Sequence, residues 1–240
     1  MNLIIDIGNT NVKVATFKEG VLIDKEIVGY SQLIHCLNDK TFEKGIVSNV
    51  GNEDLEKEVV SLFPFLISMK SGLDLPIGST YSSMETIGKD RLANAVGAFV
   101  HNPNQNSLVI DAGSCLTFDF MDSNNCYHGG AISPGLSMRF KALNTFTENL
   151  PLLTKDSADL VLTGVNTNTS IVSGVVNGMA SEIVQTIGRY RAKHPLLTIF
   201  MTGGDSGFIN SIVEVEKNGI FAVENLTMIG LNAILNYNDK

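Results

Sequence analysis

The chain has 240 residues, 44% of them hydrophobic, enough for one large core or two small ones. Its net charge of −8 removes any broad attraction for a nucleic-acid backbone, and no apolar run reaches the ~18 residues a membrane span needs. The three cysteines, Cys36, Cys115 and Cys126, lack metal-ligand spacing and read as thiols of a reducing compartment, and no basic segment precedes an apolar run at the N-terminus, so a soluble cytoplasmic protein with no nucleic-acid or membrane partner is expected.

Residues 2–7 and 12–17 are apolar and rich in β-branched side chains, which predicts two strands. Lys18-Glu19-Gly20 is a turn, and "VLIDKEIV" is a third strand of an antiparallel meander. Ser31 can cap a short helix, "QLIHCLND". "GIVSNV" predicts a strand. "NEDLEKEVVSLF" predicts a helix, with Leu55, Val59 and Leu62 on one face and acids in its first turn. "FLISM" is a short strand, residues 71–88 form a loop rich in Gly, Ser and Pro, and "RLANAVGAFV" predicts a buried helix.

The pattern then repeats. "LIIDIGNTNVKVATF" from Leu3 and "LVIDAGSCLTFDF" from Leu108 both read as an apolar run, an acid, a small residue and Gly, followed by a second apolar strand. After the second unit come the turn "DSNN", a strand "CYHGGAISPG" and a helix "LSMRFKALNTF". Strand–strand–strand–helix thus occurs twice, and an internal duplication is the simplest account. The boundary falls near "HNPNQNS", which predicts two α/β domains, residues 1–106 and 107–240, each a mixed sheet with flanking helices. A long helix over 167–192, a strand "LLTIFM", a turn at Gly203-Gly204 and a last helix over roughly 225–236 complete the chain.

A hairpin turn of Gly, Asn and Thr presents backbone N–H groups and short hydroxyls with little bulk, a concave row of donors suited to an anion. A carboxylate beside a phosphate site repels the ligand unless a cation lies between them. Asp6 therefore suits Mg²⁺, held directly or through water, and Lys13 can reach a β- or γ-phosphate. Gly113, Ser114 and Thr117 occupy similar places in the second hairpin. The plain alternative, that Asp-Gly and Asn-Thr are ordinary turn residues, explains one hairpin but not its repetition.

Paired Asp-x-Gly hairpins and a later "TGGD" resemble the actin-like, ribonuclease H-like fold of sugar and acetate kinases, chaperone ATPases and actin. Within that superfamily "DIGNTNVK", "GKDR", "DAGSCLT", "GGAISPG" and "TGVNTNTS", in this order and over nearly the whole chain, resemble the type III pantothenate kinases. The resemblance implies transfer of the γ-phosphoryl of ATP to the 4′-hydroxyl of pantothenate, the first step of coenzyme A synthesis. It implies a nucleotide site at Asp6, Ile7, Gly8, Asn9, Thr10, Asn11, Val12, Lys13 and Ser114, where Ser114 replaces the family's threonine but keeps the hydroxyl. It places pantothenate against Tyr81, Gly88, Lys89, Asp90, Arg91 and Thr167, with Asp90 as general base. It further implies a homodimer, Mg²⁺ near Asp6, and a monovalent cation, K⁺ or NH₄⁺, at Asp111.

Each assignment has a plainer alternative. Asp90 is also a good first-turn acid with Arg91 its solvated neighbour, and Asn166, Thr167 and Asn168 compete to cap the long helix. Gly203 and Gly204 lie near adenosine by analogy or simply make a turn. His35, His101, His128 and His194 show no ligand spacing. A related kinase of small acids or sugars, and a regulator that kept the fold but lost catalysis, are the rival functions. Asp6, Lys13 and Asp90 together argue against lost catalysis.

Overall fold

A computed structural model of the protein describes residues 1–9, 11–37, 40–69, 73–213 and 219–239. The chain divides into two compact units, Met1–Asn104 with Asn124–His128 and Asn225–Lys240, and Gln105–Ser123 with Gly129–Glu224.

In the first unit the meander forms as expected: β1 (Asn2–Ile7), β2 (Val12–Lys18) and β3 (Val21–Val28) pair antiparallel. β4 (Lys44–Asn49) then runs parallel beside β1, and β5 (Leu66–Ser68) parallel beside β4, giving the order β3-β2-β1-β4-β5. Leu3, Ile5 and Ile7 of β1 join Val12, Val14 and Val47 in one core with α1 (Leu33–Leu37) and α2 (Glu53–Leu62). Alternation along the strand sends Ile4 and Asp6 to the other face. The Asn52 side chain starts α2 by accepting from the Leu55 amide at 3.0 Å, and Glu53, Asp54 and Glu56 oppose the helix dipole.

Two local expectations are corrected here. Ser31 does not cap α1. A 3₁₀ turn at Tyr30–Gln32 comes first, and the Gln32 side chain accepts from the Gly29 amide at 3.1 Å; Asn38 and Asp39 of the expected helix lie outside the described residues. The loop expected over 71–88 contains a strand, β6 (Gly78–Ser79), which pairs parallel with Cys126–Tyr127.

The second face of the first sheet packs on α3 (Lys89–His101) and, from far along the chain, α7 (Leu226–Tyr237). Thr227 Oγ1 donates to Asn94 Oδ1 at 2.7 Å inside this pair, and a Cβ on Gly230 would overlap the Ala93 carbonyl oxygen. Both neighbours are backbone-fixed, so Gly230→Ala should destabilise the protein by about 3 kcal/mol, read as a lower urea midpoint. A midpoint within experimental error of the parent would mean that the helices separate freely.

The second unit repeats the plan. β7 (Ser107–Ala112) and β8 (Cys115–Met121) form an antiparallel hairpin, β9 (Cys126–Pro134) lies beside β8, and β10 (Thr198–Thr202) and β11 (Ile220–Ala222) run parallel on the far side of β7. α4 (Leu136–Thr145), α5 (Thr167–Lys193) and α6 (Ser206–Ile212) bury its apolar face, with Val172, Val176, Met179 and Ile183 of α5 fully covered. Asn166 wins the capping position of α5: its Oδ1 accepts from the Thr169 amide at 3.0 Å, and Thr167 becomes the first helical residue.

Candidate active site

The two acids singled out by the repeat occupy matching places in their sheets. Asp6 sits one residue before the end of β1, opposite Lys13 on the antiparallel neighbour and Ser48 on the parallel one. Asp111 sits one residue before the end of β7, opposite Thr117 and Thr202 in the same sense. Each carboxylate thus ends a central strand, where open α/β sheets place their ligands.

Asp6 is 7% exposed, and its Oδ1 has no hydrogen-bond partner among the described residues. Its Oδ2 lies 3.9 Å from the Lys13 ammonium, which is itself partly exposed. Burial pushes this carboxyl up from 3.8 to about 6, and the charge of Asp90 adds to the rise, while Lys13 and the Ser48 hydroxyl pull it down. Asp6 and Asp90, distant in sequence, therefore share one electrostatic site. A buried acid oxygen with no partner is costly unless a cation or donor completes it.

The hairpin that follows is held by its own backbone: the Gly8 amide donates to the Asn11 carbonyl at 3.1 Å. Asn9 and Asn11 are exposed, whereas Ile7 and Val12 bury their side chains completely, so any ligand contact of those two falls to their backbone. Thr10 lies outside the described residues. Gly8 does not adopt a left-handed φ; its constraint is room in the tight turn, since a Cβ there would lie 3.2 Å from the Asn11 carbonyl oxygen.

Asp90 is in the first turn of α3, whose N-cap is Gly88. Its Oδ1 accepts from the Arg91 amide at 2.8 Å, which fixes the carboxylate. Arg91 is not a solvated neighbour; it is 5% exposed, and its guanidinium lies over the Tyr81 ring at 5.9 Å. Tyr81 in turn packs on Tyr127, their ring centroids 5.9 Å apart. Lys89, at the start of α3, is half-buried. Tyr81 and Arg91 thus pack beside Asp90, whose charge acts on Asp6 within the same unit, while Lys89 lines a cavity with Asn49, Glu56 and Met69.

In the second unit Ser114 is exposed at the tip of its hairpin, and the Gly113 amide donates to the Cys115 carbonyl at 3.0 Å. The turn after β10 folds onto this hairpin: Gly203 takes φ +100°, open mainly to glycine, and the Asp205 amide donates to the Ala112 carbonyl at 2.8 Å. Thr167 is exposed on the rim of an apolar groove of about 1160 Å³ between α4 and α5. Sequence reasoning missed Ser48 and the turn after it. Their only signal was a strand ending in Ser-Asn rather than in apolar residues.

A family profile described as type III pantothenate kinase matches residues 2–189. The chain belongs to the type III pantothenate kinase family. It is similar to the type III pantothenate kinase of Christiangramia forsetii, with 40% identity over 99% of both chains. The corresponding Phocaeicola vulgatus protein is 39% identical over 100% of both. Solved structures agree at the level of fold. An activator of 2-hydroxyisocaproyl-CoA dehydratase from Clostridium difficile, determined with bound ADPNP, aligns with TM-score 0.56 and 16% identity over 99% of this chain and 93% of its own. A glucokinase from an Antarctic psychrotroph aligns with TM-score 0.52 and 13% identity over 98% of both chains. The protein is an ATP-dependent kinase of actin-like, α/β fold. No helix among the described residues is long and apolar enough to cross a membrane.

Proposed function

We propose that this kinase phosphorylates the 4′-hydroxyl of pantothenate with the γ-phosphoryl of ATP, opening coenzyme A synthesis. The observation that carries the reading is the meeting of Asp6, Lys13 and Asp90: a phosphate-side acid and cation in electrostatic contact with a carboxylate that can take a proton. Asp90 accepts the hydroxyl proton as the oxygen attacks phosphorus, and the bond to the β-phosphate oxygen breaks on the far side. Its Oδ1 is held by the Arg91 amide, while Oδ2 has no hydrogen bond among the described residues and suits that role. Arg91 pairs with the substrate carboxylate, Tyr81 flanks it, and Thr167 is the further pantothenate contact that the family resemblance implies. Lys13 and the hairpin amides from Gly8 to Val12, with Ser114 of the second hairpin, offset charge on the phosphates.

The orphaned Asp6 oxygen fits Mg²⁺. Asp6 would hold the ion from the protein side, with water and phosphate oxygens completing its shell. Mg²⁺ at this point would neutralise phosphate charge that Asp6 otherwise repels. A coupled assay with ATP, Mg²⁺ and pantothenate, run beside a panel of sugars and small acids, tests the reading. Turnover of a sugar in place of pantothenate would overturn it.

We take the halves 1–106 and 107–240 as descendants of one duplicated unit, in which Asp111 turned from the phosphate ion to a monovalent cation. Activity should require K⁺ or NH₄⁺, Na⁺ should substitute poorly, and Asp111→Ala should abolish the response. The α4–α5 groove, lined by Met138, Leu143, Phe146 and Ile171 with Phe146 85% exposed, supports a homodimer that covers it. Sedimentation should show a dimer. Full activity in Na⁺ alone, from a monomer, would remove both parts.

A further inference from the structure

We propose that the end of β4 is the back wall of the phosphate site: Ser48 orients Asp6, and the Asn49–Gly51 turn seats the Gly8–Asn9 hairpin. This rests on the nucleotide reading of that hairpin. It is independent of which alcohol accepts the phosphoryl group.

Ser48 is fully buried, and its Oγ has no hydrogen-bond partner among the described residues. It stands in register with Asp6 across the parallel β1–β4 pair, so both side chains project to the same face. The Ser48 hydroxyl is close enough to the Asp6 carboxyl to favour its ionised form, yet neither Ser48 Oγ nor Asp6 Oδ1 meets a partner in full hydrogen-bond geometry, so both oxygens keep spare capacity at one point of the sheet. A hydroxyl can donate to the ionised carboxylate or to a water between it and a cation, and no apolar residue could do so. The second unit keeps a hydroxyl at the equivalent position, where Thr202 lies in register with Asp111.

The residues that follow hold the hairpin in place. Asn49 Oδ1 accepts from the amides of Gly51 at 2.8 Å and Asn52 at 2.9 Å, and its Nδ2 donates to Glu56 Oε2 at 3.0 Å. The other Glu56 oxygen accepts from Ser68 Oγ. This network, with the Val50 amide donating to the Ile7 carbonyl at 3.0 Å, presses the turn against the hairpin. Gly51 comes so close that a Cβ would overlap the Gly8 carbonyl oxygen and lie 3.1 Å from Asn9 Cα. From another side Tyr30 Oη donates to the same Gly8 carbonyl at 2.6 Å. The hairpin is therefore braced by contacts that no hairpin residue supplies. Bracing of this kind keeps its amides aimed before the phosphates arrive.

The test is nucleotide binding without acceptor, using a fluorescent ATP analogue with Mn²⁺ in place of Mg²⁺, on the full chain. Ser48→Ala removes one atom and should weaken the Mn²⁺ dependence of nucleotide binding by about tenfold, with pantothenate binding unchanged. Ser48→Thr keeps the hydroxyl and should restore it. Tyr30→Phe removes one bond to the hairpin and should raise the KM for ATP several-fold at constant KM for pantothenate. Gly51→Ala should do so more strongly; if it does not fold, Tyr30→Phe decides that part. Parent-like Mn²⁺ dependence in Ser48→Ala, or an equal rise of both KM values in Tyr30→Phe, would overturn the proposal. Intact nucleotide effects with no turnover of pantothenate would instead fault the acceptor assignment.

Discussion

Asp90→Asn should lower kcat by about 10²–10⁴-fold and leave nucleotide binding near its parent value. The substitution keeps the shape of the side chain and an oxygen able to accept from the Arg91 amide, the 2.8 Å bond that fixes the carboxylate at the start of α3. What it removes is basicity and one negative charge facing Asp6. Loss of that charge relieves a repulsion that pushes the Asp6 carboxyl up, so affinity for the metal-bound nucleotide should hold steady or rise slightly. Steady-state kinetics with a separate titration of nucleotide divides the two effects. Near-parent turnover in Asp90→Asn would place the base elsewhere.

Asp6→Asn should do the opposite, stabilising the empty protein while crippling its use of metal-bound nucleotide. The Asp6 carboxyl is raised to about 6 in the fold from an ordinary 3.8, mainly by burial. The native state therefore holds this proton more tightly than the unfolded chain. Its contribution to stability is complete below pH 3.8 and is lost as pH rises through about 6. Above that, an ionised, buried Asp6 costs the nucleotide-free protein about 3 kcal/mol, which an amide does not. Urea unfolding should show Asp6→Asn more stable by about 2–3 kcal/mol at pH 8 and equal to the parent near pH 4. The parent should in turn gain from Mg²⁺ with ADP, and the variant should not. Equal midpoints at pH 8 would mean that Lys13, whose ammonium lies 3.9 Å from Asp6, already neutralises the cost.

The hairpins were legible because two codes coincide in them. Apolar runs with period 2 define the strands, and an acid two residues before a Gly marks where each strand ends in its hairpin. The same reading found α3 and α5 from their apolar spacing. It failed where the signal is geometric. β6 is two residues long and exists only because Cys126–Tyr127 offers it an edge; a pair of small residues carries no periodicity. α6 and β11, seven and three residues, are likewise too short to show a pattern; β11 forms by pairing with β10, and α6 by packing on β7. Arg91 reads as a surface cation because its charge is visible and its burial is not; Tyr81 covers it from another segment. Ser48 gains meaning only from register with Asp6, which is a property of a strand pair rather than of a motif.

α7 packs in the first unit although the entire second unit precedes it in the chain. During synthesis domains generally fold in the order in which they emerge. Here the helix bearing Asp90 must wait for its partner until everything through Glu224 has been translated. A chain cut short between Glu224 and Leu226 would contain both hairpins and Asp90, yet leave Ala93, Asn94 and Gly97 of α3 without the helix that packs on them. Such fragments would offer an apolar surface to chaperones and proteases, so the order of α3 depends on a segment translated only after the whole second unit.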